Sequence, residues 1–333
     1  MLQLESKNLL IEKAFTDAFN PDYIPVTIDR ILTDFDFTTY HLSTPSEKGK
    51  ILLSIEIRCW NDLIKYGTGE LLEKRYSNFP CVQILSGSNC EPGYNFSLYV
   101  DIDAAKAQLD ENQLREIVDE LCLLKRTCFA APFLQAFSRY ETLAKENPVD
   151  PNNLYGEDSV SAYTSNEEVI RLDYRGEESI FIKPSNDRVT VIFSTVFNDE
   201  TDKIFSKVFL QEFSDARKRS IQKAPQVINS HNEVPLEIKH IEKDARDKTY
   251  ITFVLFPRHL ASEEIQWNTI THIQLFRSYF HYHIKIVKCY LHQRMRYRVT
   301  SFTKILNRAK KEQDQEELRA ERKTASGKRF DIR

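Results

Sequence analysis

The sequence predicts an α+β fold: two similar tandem domains, each a mainly antiparallel sheet with helices on one face, followed by a long C-terminal helix. Three observations lead there. Runs rich in β-branched and aromatic residues come in two groups, and each group reads strands, helix, strand, long helix. Between the groups lies a segment rich in Pro, Asn, Ser and acids, the composition of a linker. Near the C-terminus, apolar residues recur at steps of three and four, the period of a helix.

The first group holds strand-like residues 25–28 (PVTI), 37–43 (FTTYHLS), 50–57 (KILLSIEI) and 94–102 (YNFSLYVDI). A helical stretch over 60–76 separates the third run from the fourth, a long hairpin loop over 77–94 follows it, and a second helix covers 111–143. The second group holds 168–174 (EVIRLDY), 179–184 (SIFIKP), 188–196 (RVTVIFSTV), a helix over 201–219, then 235–240 (PLEIKH) and 250–256 (YITFVLF). The domains expected are 1–145 and 167–262, joined by a linker over 146–166. The long basic helix takes 263–322, and a tail over 323–333 frays.

Composition fits a globular protein: 333 residues, 41% hydrophobic and 29% charged. The N-terminal residues MLQLESKNLLIEKAF break every apolar run with a charge and read as no signal peptide. No run approaches the ~18 consecutive apolar residues of a membrane span. Cys59, Cys81, Cys90, Cys122, Cys128 and Cys289 form no C-x-x-C pair and read as reduced thiols, mostly core filler.

No motif reaches the pattern that chemistry needs. Asp101 and Asp103 resemble the start of a calcium loop. Ala105, Lys106 and Asn112 then occupy positions that need a carboxylate or amide ligand, Gly and Glu. Gly67-Thr-Gly69 lacks the third Gly and the Lys-Ser of a phosphate loop. His281 and His283 point about 200° apart on a helix and share no metal. No catalytic residue, metal or cofactor is expected, and the protein is read as no enzyme.

The informative segment is 272–311. It carries ten Lys and Arg, four His and no Asp or Glu, in a chain whose net charge is −3. Ile273, Phe276, Phe280, Ile284, Val287, Leu291, Met295, Val299, Phe302 and Leu306 form one helical stripe. A helix of about 40 residues spans about 60 Å, whereas a domain of this size has a radius of gyration of roughly 14 Å. Its first half covers the second sheet. From about Leu291 it overhangs or bridges domains, and its apolar side chains need a partner. Ten such side chains are worth roughly 15–30 kcal/mol gross, enough for a permanent partner such as an antiparallel helix.

Lys285, His292 and Arg296 lie on one flank, roughly 90–130° from the stripe's centre; Arg294 lies on the other flank and Arg298 at the stripe's edge. Such flanks suit an acidic surface: nucleic acid, anionic lipid or acidic protein. Arg217, Lys218 and Arg219 end the 201–219 helix, where positive charge also suits the helix dipole.

Residues 187–213 (DRVTVIFSTVFNDETDKIFSKVFLQEF), with 224–227 (APQV), 250–259 (YITFVLFPRH), 279–285 (YFHYHIK) and 306–309 (LNRA), resemble the subunit 2 family of the actin-related protein 2/3 complex. Residues 34–43, 93–103 and 124–130 match more loosely; 77–92, 145–167 and the tail depart from the family. The resemblance implies a scaffold subunit of a complex of seven subunits that nucleates actin branches. It implies pairing with subunit 4 through long antiparallel helices, contact with the two actin-related subunits and other subunits, and contact with the mother filament. The stripe then becomes the partner-helix interface, and Arg217, Lys218, Arg219, Lys285, His292, Arg294, Arg296 and Arg298 become filament contacts. It also implies no bound nucleotide and no nucleic acid. An RNA- or anionic-lipid-binding adaptor is the alternative.

Overall fold

The computed structural model describes residues 5–148 and 169–308, apart from 23, 25, 35, 46, 48, 220, 244 and 245. Most of the expected linker and all of the tail lie outside the described residues. The chain divides into two units, Met1–His281 and Tyr282–Arg333. Both sheets belong to the first.

The first sheet holds β1 (Asp29–Thr33), β2 (Thr39–Ser43), β3 (Lys50–Glu56), β4 (Val82–Ser86) and β5 (Phe96–Asp101), in the order β1-β2-β3-β5-β4. The second holds β6 (Ile170–Arg175), β7 (Glu178–Pro184), β8 (Val189–Val196), β9 (Gln226–His231) and β10 (Lys248–Leu255), in the order β6-β7-β8-β10-β9. Every neighbouring pair is antiparallel. The two sheets therefore repeat one topology, and the α+β reading holds.

Three strand expectations are corrected. Strand β1 starts at Asp29 rather than in 25–28; Ile28 already bonds Thr44 through its backbone. Residues 77–94 contain β4 as well as a loop. The sequence PLEIKH is no strand: Pro235, at φ −54°, opens a 3-10 turn over Leu236–Ile238, and the strand lies earlier, at β9. Both missed strands, β4 and β9, sit at sheet edges, where half-exposed residues break the apolar pattern.

The helices are also cut differently. The stretch over 60–76 is two helices, α2 (Trp60–Lys65) and α3 (Thr68–Tyr76), separated at Gly67, whose φ of +88° favours glycine. The stretch over 111–143 is α5 (Glu111–Cys122), which Asp110 and Gln113 cap reciprocally, and α6 (Leu124–Glu146). One short helix went unread, α1 (Leu9–Phe19), capped by the Asn8 side chain; α4 (Ile102–Gln108) starts directly after β5, as a strand end followed by a helix start. Asp101 caps α4 by accepting from the Ala104 N–H at 2.9 Å, so it serves a helix start and not a calcium loop. In the second half, α7 (Glu200–Arg219) lies between β8 and β9, and α8 (Glu263–Arg308) follows β10.

The two halves meet through Arg–aromatic stacking. Phe37, in the β1–β2 turn, lies 4.4 Å from the Arg58 guanidinium and 5.5 Å from that of Arg175. Trp267, on α8, lies 4.6 Å from Arg75 of α3 and 4.8 Å from Arg126 of α6. Each contact is worth about 0.5–2 kcal/mol, rising with desolvation.

In the first half, Lys125 of α6 is buried with its ammonium 2.5 Å from Asp34 and 2.7 Å from Asp36. Burial pushes the Asp36 carboxyl up, but the Lys125 charge and the Thr38 hydrogen bonds outweigh it and hold the group below its usual range. Lys125→Met leaves two buried carboxylates without their cation and is expected to cost about 3–5 kcal/mol in a denaturant melt of the purified chain. A carboxylate with a lowered native value stabilises the fold above its unfolded value of 3.8 and loses that contribution as pH falls through the native value. The variant should therefore lose this component of acid sensitivity.

The loop after β4 folds back over the outer face of the first sheet. His41 of β2 holds it: Nδ1 lies 2.6 Å from Glu91 Oε1 and Nε2 lies 2.9 Å from Asp29 Oδ1, while the ring stacks on Tyr94. Burial lowers the His41 value, but the two carboxylates outweigh it and raise the value above 6.5. A raised histidine stabilises fully below its unfolded value and loses the effect as pH rises through the native one. Hydrogen exchange of residues 87–95, corrected for intrinsic rates, should show protection falling from pH 6 to pH 9. His41→Gln should remove that dependence.

Candidate protein-interaction helix

Helix α8 starts where Ser262 accepts from the Ile265 N–H through Oγ and from the Gln266 N–H through its carbonyl. Glu263 and Glu264 in the first turn and Arg308 in the last match the helix dipole. At 46 residues it spans about 69 Å.

Its first part is taken by the second sheet. Phe276 packs 4.6 Å from Phe253, 5.5 Å from Phe193 and 6.2 Å from Phe213 of α7, measured between ring centroids. Phe280 packs edge-on against Phe197 and Phe209. Ile273 is buried as well. Between these residues, Arg277 is buried and donates to Glu178 of β7 through Nη2 at 2.6 Å and Nε at 3.1 Å. Glu178 also accepts from the Val196 N–H and the Tyr174 hydroxyl. Sequence reading missed this pair, because 99 residues separate its members.

In the second unit, Ile284 is buried and Val287 half-buried. The remaining stripe residues are bare: Leu291 is 39% exposed, Met295 64%, Val299 64%, Phe302 61% and Leu306 50%. Ile273, Phe276 and Phe280 thus spend their apolar surface within this chain, and the surface left for a partner begins at Leu291.

The basic residues divide by element. Arg217 is half-buried and donates through Nε to the Ala224 carbonyl at 3.2 Å, while Lys218 and Arg219 are exposed at the end of α7. Lys285, His292 and Arg296 share one exposed flank of α8, and Arg298 is exposed at the stripe's edge. Arg294 donates through Nη1 to the Tyr290 hydroxyl at 2.8 Å.

Elsewhere, the chemistry is that of a core. Burial pushes the Cys122 thiol up to about 12 and raises Cys59 and Cys128 further. Among the described residues, no group of three or more His, Cys, Asp or Glu could hold a metal ion, and no helix is long and apolar enough to cross a membrane.

Fold and helix together define a tandem α+β interaction protein whose long basic helix keeps an uncovered apolar stripe. Residues 53–313 match the family model described as Arp2/3 complex, 34 kD subunit p34-Arc. Across 333 residues, and 99% of each chain, the sequence is 42% identical to actin-related protein 2/3 complex subunit 2 of Schizosaccharomyces pombe. It is 32% identical to the protein of the same description from Dictyostelium discoideum, again over 99% of each chain. The chain belongs to the p34-Arc family of Arp2/3 complex subunits.

Breaking the Arg277–Glu178 pair from either side, by Arg277→Met or Glu178→Leu, is expected to destabilise the chain by about 3–5 kcal/mol. The double variant should lose clearly less than the sum, and a denaturant double-mutant cycle reads the difference as their coupling.

Proposed function

We propose that this chain is a non-catalytic scaffold and filament-binding subunit of the Arp2/3 complex, which nucleates branched actin filaments. The observation that carries this reading is the bare stripe of Leu291, Met295, Val299, Phe302 and Leu306 on a helix without a single acid between residues 265 and 308. The stripe suits a long antiparallel helix, and this reading assigns that helix to subunit 4. In this reading the chain lies beside the two actin-related subunits and works in the cytoplasm and cytoskeleton, at cortical actin patches that serve endocytosis. The exposed bases Lys218, Arg219, Lys285, His292, Arg296 and Arg298, with Arg217 and Arg294, are the filament contacts of this reading.

Two kinds of variant test it. Leu291→Asp and Phe302→Asp put a charge into a surface that a partner buries, so the purified complex should lose subunits. Lys285→Glu with Arg296→Glu should leave subunit stoichiometry normal by gel filtration. It should weaken filament co-sedimentation, more so at low salt, and reduce branch counts by fluorescence microscopy. Intact complex from both Asp variants would reject the stripe as an interface. Wild-type branching by an intact double variant would reject the filament assignment for those two residues.

A further inference from the structure

The second unit carries another set of bare side chains that the stripe does not explain. Ile286 is 44% exposed, Tyr290 54% and Tyr297 74%. At about 100° per residue they fall within about 40° of one another, and their centre lies about 160° around the helix from that of Leu291, Met295, Val299, Phe302 and Leu306. Arg294, Lys304 and Arg308 lie within about 60° of this second centre. A helix packed on one side covers a stripe of about 100°, so an occupant of the first stripe leaves the second uncovered. Tyr and Arg are the residue types that concentrate binding energy at interface centres. Arg294 already holds the Tyr290 hydroxyl at 2.8 Å, with its guanidinium 5.6 Å from the ring, which lowers the ordering cost of docking. No acid on the helix past Glu264 neutralises these cations.

We propose that Ile286, Tyr290 and Tyr297, rimmed by Arg294, Lys304 and Arg308, dock a second protein segment of the assembly. Its chemistry follows from charge complementarity: apolar at the centre, carboxylates at the rim, and distinct from the segment on the first stripe. The helix is then gripped from two sides, and Arg294 passes from the filament contacts to this rim. This inference rests on the reading that the first stripe takes a partner helix.

The test uses the complex purified without actin filaments, with benzoylphenylalanine replacing Phe302 in one preparation and Tyr297 in another. Crosslinked peptides are identified by mass spectrometry. Position 302 should link to one helix, and position 297 to a different segment rich in Asp and Glu. Adding Arg294→Glu and Lys304→Glu should lower the yield from position 297 by roughly ten-fold without changing that from position 302. Silence at position 302 would overturn the reading of the first stripe, and this inference with it. With position 302 linking normally, three results overturn this inference alone: links from both positions to the same segment, links from position 297 only after filaments are added, or no link from position 297 at all.

Discussion

The ion pair between Arg277 and Glu178 is the constraint on which the placement of the long helix depends. Taking both charges out of water costs several kcal/mol per ion. The loss is offset by bidentate geometry and by two further donors on the same carboxylate, the Val196 N–H and the Tyr174 hydroxyl. The phenylalanine cluster around Phe276 gains from burial in any rotation that keeps apolar side chains inward, because hydrophobic attraction has no direction. The guanidinium has one. A slip of one residue would turn the helix by about 100° and carry Arg277 away from Glu178, which would keep only Arg175, at 3.6 Å, as a cationic partner. The pair therefore decides which residues of the helix's first part the sheet takes.

The duplicated sheets share a second device. In each, the loop between the last two strands in sequence returns over the outer face. In the first half it does so with polar chemistry: Glu91 meets His41, and its N–H donates to Ser97, which bonds Ser54. In the second half it does so with apolar chemistry, where Ile238 joins Val169, Phe181, Ile192 and Tyr250. One topology thus carries two kinds of cover, and the difference explains the strand sequences. β7 and β8 are buried on both faces and read as continuous apolar runs, whereas β2 alternates buried and half-exposed residues.

That contrast also decides what the sequence revealed. The central strands and the α8 stripe were legible because burial imposes a period. Edge strands β4 and β9 were not, since one side of each is solvated and Gln83, Asn229 and His231 interrupt the pattern. Gly67 and Leu123 broke helices that periodicity alone would join, because period reports a face and not a continuous backbone. Least legible were the buried ions. Lys125 finds Asp34 91 residues away, and nothing local distinguishes it from a surface lysine. On the interaction helix, the first stripe could be read from its aliphatic period. The second could not, because Tyr and Arg also belong on ordinary solvated faces.

The charge pattern of α8 bears on why such a helix is kept. Arg294 and Arg298 stand four residues apart, as do Lys304 and Arg308. Like charges at that spacing destabilise an isolated helix by about 0.2–0.5 kcal/mol per pair, and an acid at the same position would have contributed a similar amount. The segment from 291 to 308 thus forgoes the support that exposed helices ordinarily draw from alternating charge, while leaving Met295, Val299 and Phe302 in water. Neither feature helps the chain alone. Both become favourable when apolar and acidic surfaces close on the helix: burial then removes the exposed stripe, and each carboxylate brought in relieves repulsion as well as adding attraction. A helix of this composition is therefore most stable inside an assembly, and its stability should report on how completely it is enclosed.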